Sequence, residues 1–99
     1  MCNNQKLISM NILEKANEIV NQRSEEKERM YGPFDKSMII AADLASLMTG
    51  KNFTAPDMYL CMVAIKLSRE SSSHKEDNLL DAVAYLGALN NFYEKFKSE

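Results

Sequence analysis

The stretch FTAPDMYLCMVAIKLSRE, Phe53 to Glu70, constrains the fold more than any other part of the chain. Thr54 is placed to cap a helix, Pro56 falls in the first turn, and Asp57, three residues after Thr54, completes a capping box with Asp in the place of Glu. No charged residue then occurs from Met58 to Ile65. A helix that is apolar nearly all round belongs at the centre of a packed structure. The spacing predicts it over residues 55–70, with Lys66 and Arg69 as its conspicuous exceptions.

The rest of the chain agrees with a helical reading. Nowhere do apolar and polar residues alternate over a useful length, and there is no Asn-Gly or Asp-Gly hairpin turn, so the fold class is all-α. In a first helix over residues 8–30, Ile12, Leu13, Ala16, Ile19 and Val20 make one stripe at helical spacing. Continuing that stripe turns Arg23 inward, and Tyr31-Gly32-Pro33 ends it. A second helix is expected over 34–49, stopping at Gly50. A fourth is expected over 75–96, with apolar residues again spread around much of its circumference. Ser71, Ser72 and Ser73 read as the hinge before it. Four helices with short connections most simply make an antiparallel four-helix bundle, one domain over residues 1–99 with residues 1–7 flexible. Two helices apolar all round in so short a chain lead us to expect a homo-oligomer.

Charge and cysteine usage narrow the partners. The net charge is −2, with 45% hydrophobic and 26% charged residues, so there is no overall basic field and no long nucleic acid is expected. No run of apolar residues is long enough to span a bilayer, and no leader-like segment opens the chain, so no membrane partner is expected. Cys2 and Cys61 make neither a disulfide framework nor a metal-ligand spacing. The expected compartment is the cytoplasm.

The charged groups of the third and fourth helices pose the functional question. On the third helix Tyr59, Met62, Lys66 and Arg69 fall within about 100° of arc. On the fourth, Asp77 and Asp81 are four apart and stack on one face. A short turn makes these helices antiparallel neighbours, so opposite charges converge. One reading is structural: Lys66 and Arg69 pair with Asp81 and Asp77, with both helix dipoles favouring the placement. The other is a ligand site. Desolvating an ion costs several kcal/mol, an expensive way merely to fix register. Arg23, Lys66 and Arg69 would grip phosphate oxygens, while Tyr31 or Tyr59 would stack on a base. Asn78 is added as a base or ribose contact. Asp77 and Asp81 would contact a ribose or hold a divalent cation such as magnesium. His74 is the only histidine and sits in a polar turn without the companions of a zinc site or a nucleophilic set.

Together, ILEKANEIV, Arg23, YGPF, FTAPDMYLCMVAIKLSR and HKEDNLLDAVAYL resemble a family of small phage and prophage proteins of unassigned function. That family carries Arg, Tyr-Gly-x-Pro, Thr-x-x-Asp, Lys-x-x-Arg and Asp-x-x-x-Asp in this order; here the tyrosine-glycine segment is shortened to Tyr-Gly-Pro-Phe. More distantly, the chain is similar to the all-α MazG-like nucleotide pyrophosphohydrolases, which hold magnesium on two carboxylate-rich motifs. Only the later motif is approximated, by Asp77 and Asp81. The resemblance implies a phage-type oligomer that binds a phosphorylated small ligand, most plausibly a nucleotide or nucleotide second messenger, as an anti-defence protein in the host cytoplasm would. The alternatives are a magnesium-dependent pyrophosphohydrolase and a helical protein–protein interaction module.

Overall fold

The computed structural model describes residues 10–22 and 34–96. These form four helices: α1 Ile12–Asn21, α2 Phe34–Thr49, α3 Ala55–Ser72 and α4 Glu76–Phe96. No strand occurs among the described residues, and the fold is an all-α bundle. The expected flexible residues 1–7 lie outside the described part.

The first helix is shorter than its apolar stripe suggested. Asn11, in extended backbone, accepts from the Glu14 N–H at 2.9 Å while Glu14 accepts from the Asn11 N–H, a capping box that starts the helix at Ile12 rather than at residue 8. Gln22 has left helical geometry, so α1 closes at Asn21. Arg23 and the rest of that expected stripe lie outside the described residues. At α3 the expected start is observed: Thr54 accepts from the Asp57 N–H, and Asp57 accepts from the Thr54 N–H at 2.8 Å. The helix then runs through Ser71 and Ser72, which therefore extend α3, and the turn to α4 is only Ser73, His74 and Lys75.

α3 and α4 form an antiparallel hairpin, with Lys66 beside Asp81 near the turn and Tyr59 beside Phe92 at the far end. α1 lies along α4. Lys15 reaches Glu76 at 2.6 Å and Asn91 donates to Asn21 at 2.8 Å, so these two helices run in the same sense. α2 meets the hairpin with its first turns: Phe34 packs edge-on against Tyr59 with ring centroids 5.8 Å apart, and Asp35 accepts from Lys95 at 2.7 Å. That bond holds the Asp35 carboxyl below the usual carboxylate range despite its partial burial. At the other end of α2, Gly50 takes a positive φ of 72°, which a side chain would oppose. Ser46 clamps the next loop, its hydroxyl accepting from the Phe53 N–H at 2.8 Å.

The core has its centre at Tyr59, 1% exposed, against Ala88 and Leu89 of α4, with Val20, Phe34, Met38 and Phe92 around it. Among the described residues, six of the nine buried apolar ones are alanines, so they enclose little apolar volume. Gly87 lies in the interior of α4, where an added Cβ would meet nothing within 4 Å. Glycine in a helix interior costs about 0.5–1 kcal/mol relative to alanine. Gly87→Ala is therefore expected to stabilise the fold by about that amount, read as a higher urea midpoint with an unchanged slope.

Candidate functional site

The charges of the hairpin sort themselves unequally. Lys66 projects from the core-facing side of α3, and its Nζ lies 3.0 Å from Asp81 Oδ2, with the two side chains 17% and 38% exposed. This pair is partly desolvated and restrains the helix register. Arg69, one turn further along, is exposed and pairs with no described residue. Asp77 is also exposed and without an ion-pair partner among the described residues, so the expected Arg69–Asp77 pair does not form. In its place Glu70 organises the turn: His74 Nδ1 sits 2.5 Å from its carboxylate, and the Lys75 N–H donates to it at 3.2 Å. Those donors, His74 foremost, hold the Glu70 carboxyl below its ordinary range. The i to i+4 spacing of Glu70 and His74 carried that contact in the sequence, although His74 reads there only as a turn residue.

Several expected ligand contacts are corrected by their surroundings. Tyr59 is a core residue enclosed by Phe34, Phe92, Ala88 and Leu89 and has no free face for stacking on a base. Burial pushes its phenol up to about 12, with the Asp35 carboxylate adding to the effect. Asn78 is buried and spends its amide on the Ser73 carbonyl at 3.3 Å, so it braces the turn rather than meeting a ribose. Tyr31, like Arg23, lies outside the described residues. For magnesium, Asp81 is engaged by Lys66, Asp77 stands one turn away in solvent, and no three His, Cys, Asp or Glu side chains converge among the described residues. Octahedral magnesium wants oxygen donors grouped at one point.

A second feature is the apolar surface left exposed on α2 and α3. α2 carries Ile40, Leu44, Leu47 and Met48 on one stripe, spaced four, three and one residues apart, and all are exposed. Leu47 and Met48 are 81% and 80% exposed, close to what an isolated helix would show. Beside the end of α2, an open groove of about 450 Å³ is lined by Phe53, Leu60, Cys61 and Ala64 together with Lys51, Asn52 and Asp57. The same outer side of α3 bears exposed Leu67. No element among the described residues covers this face. Sequence periodicity finds the apolar stripes but not which one a neighbour covers, because α2, α3 and α4 carry apolar residues on more than one side.

No helix among the described residues is long and apolar enough to cross a membrane. Comparison with curated proteins and with solved structures finds no match. A family model does match, over residues 11–93, from the Asn11 cap to the last turns of α4 and so across all four helices. The chain belongs to the family described as a domain of unknown function, DUF6378.

Proposed function

We propose that this chain is a helical binding module that works by engaging another macromolecular surface through its uncovered apolar face. The observation that carries this reading is the α2 stripe, with Leu47 and Met48 almost fully in solvent. Isolated exposed leucines are ordinary, but a contiguous apolar face of this kind marks an interaction site. The test is hydrodynamic mass together with binding of an apolar dye such as anilinonaphthalene sulfonate. The expected result is either an assembly that hides the face or a helical monomer that binds the dye several-fold more than a variant carrying Leu44→Lys and Leu47→Lys. A monomer that keeps its helicity and does not bind the dye sinks the reading.

A second reading, a site for a phosphorylated small ligand such as a nucleotide, is favoured by one observation: the Arg69 guanidinium is exposed and lacks an ion-pair partner among the described residues, one turn from Lys66. An arginine so placed can take a phosphate in a bidentate hydrogen bond. Thermal shift against nucleotides and cyclic nucleotides, with and without magnesium, tests it. A rise in Tm that disappears in Arg69→Gln supports the site, and a rise unaltered by that substitution moves the ligand elsewhere. No shift from any of them removes the reading.

A further inference from the structure

We propose that the turn between α3 and α4 is an acid-released latch, in which the ionised Glu70 carboxylate fastens His74 and the Lys75 backbone across the end of the hairpin. Both oxygens of the one carboxylate take part. Oε2 meets His74 Nδ1 at 2.5 Å, and Oε1 accepts from the Lys75 N–H at 3.2 Å. Glu70 lies near the end of α3 and both donors lie beyond it, so the carboxylate bridges the point where the helix stops. Its side chain is 22% exposed against 67% for His74, so the acceptor is the more enclosed of the two.

Among the described residues the turn has few other fastenings. Ser73 is in extended backbone, and its N–H donates to the Arg69 carbonyl at 3.1 Å. From the other side, buried Asn78 donates its side-chain amide to the Ser73 carbonyl at 3.3 Å and its N–H to the Lys75 carbonyl at 3.0 Å. Lys75 is thus held to α4 by its carbonyl and to α3 by its N–H, and the second hold depends on Glu70. An ionised carboxylate only accepts; once protonated, one oxygen becomes a donor and the charge assistance is lost. His74 and the Lys75 N–H keep the carboxyl below its ordinary range, so the latch is closed above that range and opens as pH falls through the lowered value. The other charged groups at this end are engaged or in solvent. On α1, Glu14 belongs to the Asn11 box and Lys15 pairs with Glu76 of α4; Lys66 of α3 pairs with Asp81 of α4; Arg69, the Lys75 ammonium and Asp77 are exposed. At the far end of the hairpin the Tyr59 and Phe92 rings carry no charge in acid, so the helices stay paired there while the turn loosens.

The experiment is an NMR titration of the amide signals of the full chain, from neutral pH downward. An amide proton bonded to a carboxylate moves upfield when that carboxylate is protonated. The Lys75 N–H is expected to move in this way with a midpoint below the ordinary glutamate range, and the Ser73 N–H and the Asn78 side-chain amide should follow the same midpoint. In Glu70→Gln the Lys75 titration should disappear, with the Ser73 and Asn78 signals already at neutral pH where the parent shows them in acid. His74→Ala should raise the midpoint toward the ordinary range. A Lys75 N–H that does not titrate, or that titrates unchanged in Glu70→Gln, overturns the bond. One that titrates alone while Ser73 and Asn78 stay fixed overturns the latch. Should Glu70→Gln not fold, the parent and His74→Ala titrations decide, and a midpoint equal in the two removes His74 from the device.

Discussion

Tyr59→Ala is expected to cost about 3–5 kcal/mol, enough to leave a chain of this size largely unfolded at room temperature. The cost follows from where the ring sits. Tyr59 is the largest fully buried side chain among the described residues; Phe34 of α2 and Phe92 of α4 pack on its ring, and Val20 of α1 and Met38 of α2 pack against the cluster it forms with Ala88 and Leu89 of α4. Its ring lies 5.8 Å from Phe34 and 5.7 Å from Phe92, centroid to centroid. Truncation removes the transfer free energy of the ring and leaves a cavity that neighbouring alanines cannot fill. It also detaches the first turns of α2 from the hairpin. Tyr59→Phe keeps the ring and is expected to cost far less, so urea unfolding of the two variants side by side separates packing from the hydroxyl. If Tyr59→Ala shifted the midpoint no more than Tyr59→Phe, the core would have to be centred elsewhere.

Alkaline pH should produce the second large effect, through the same residue. The Tyr59 phenol is raised in the fold to about 12, from an ordinary value near 10, chiefly because the charged form is desolvated. A group raised in this way contributes stability that is fully present below its unfolded value and is lost as pH rises through the folded one. Between pH about 10 and about 12 the unfolded chain releases the Tyr59 proton while the folded chain retains it. Each unit of that window costs about 1.4 kcal/mol, so the loss reaches about 2–3 kcal/mol by pH 12. Denaturant unfolding at pH 9, 10, 11 and 12 measures it, with Tyr59→Phe as the control. The variant should lose this component of the alkaline decline and retain only what other groups contribute. A variant that declined as steeply as the parent would remove Tyr59 as the cause.

Much of the local structure was legible because it depends on neighbours in the chain. The Thr54–Asp57 box, Pro56 and Gly50 set helix boundaries by short-range hydrogen bonding and backbone sterics, and the end of α2 and the start of α3 fall where those signals put them. The start of α1 was equally legible in Asn11 and Glu14, but the apolar stripe ran past that box and drew the expected helix to residue 8. Of the candidate site, the sequence supplied the pairing of Lys66 with Asp81, since a short hairpin leaves those positions few other partners. It gave no warning that Tyr59, on the same face of α3 as Lys66, would be enclosed while Arg69 would stand in solvent.

The sequence by itself determined that this chain is helical, where most of its helices begin and end, and that α3 and α4 fold back on each other. Capping, turn chemistry and periodicity are local, acting over a few residues. Only the tertiary structure decided which apolar stripes are used. Packing α2 by its first turns against Tyr59, Tyr85 and Lys95 encloses Phe34 and Met38 and leaves Ile40, Leu44, Leu47 and Met48 in water. That choice depends on contacts between residues far apart in the chain, where side-chain volumes and helix crossings decide which surfaces can meet. It also moved the functional question from the charges of the hairpin to the face that the fold leaves bare.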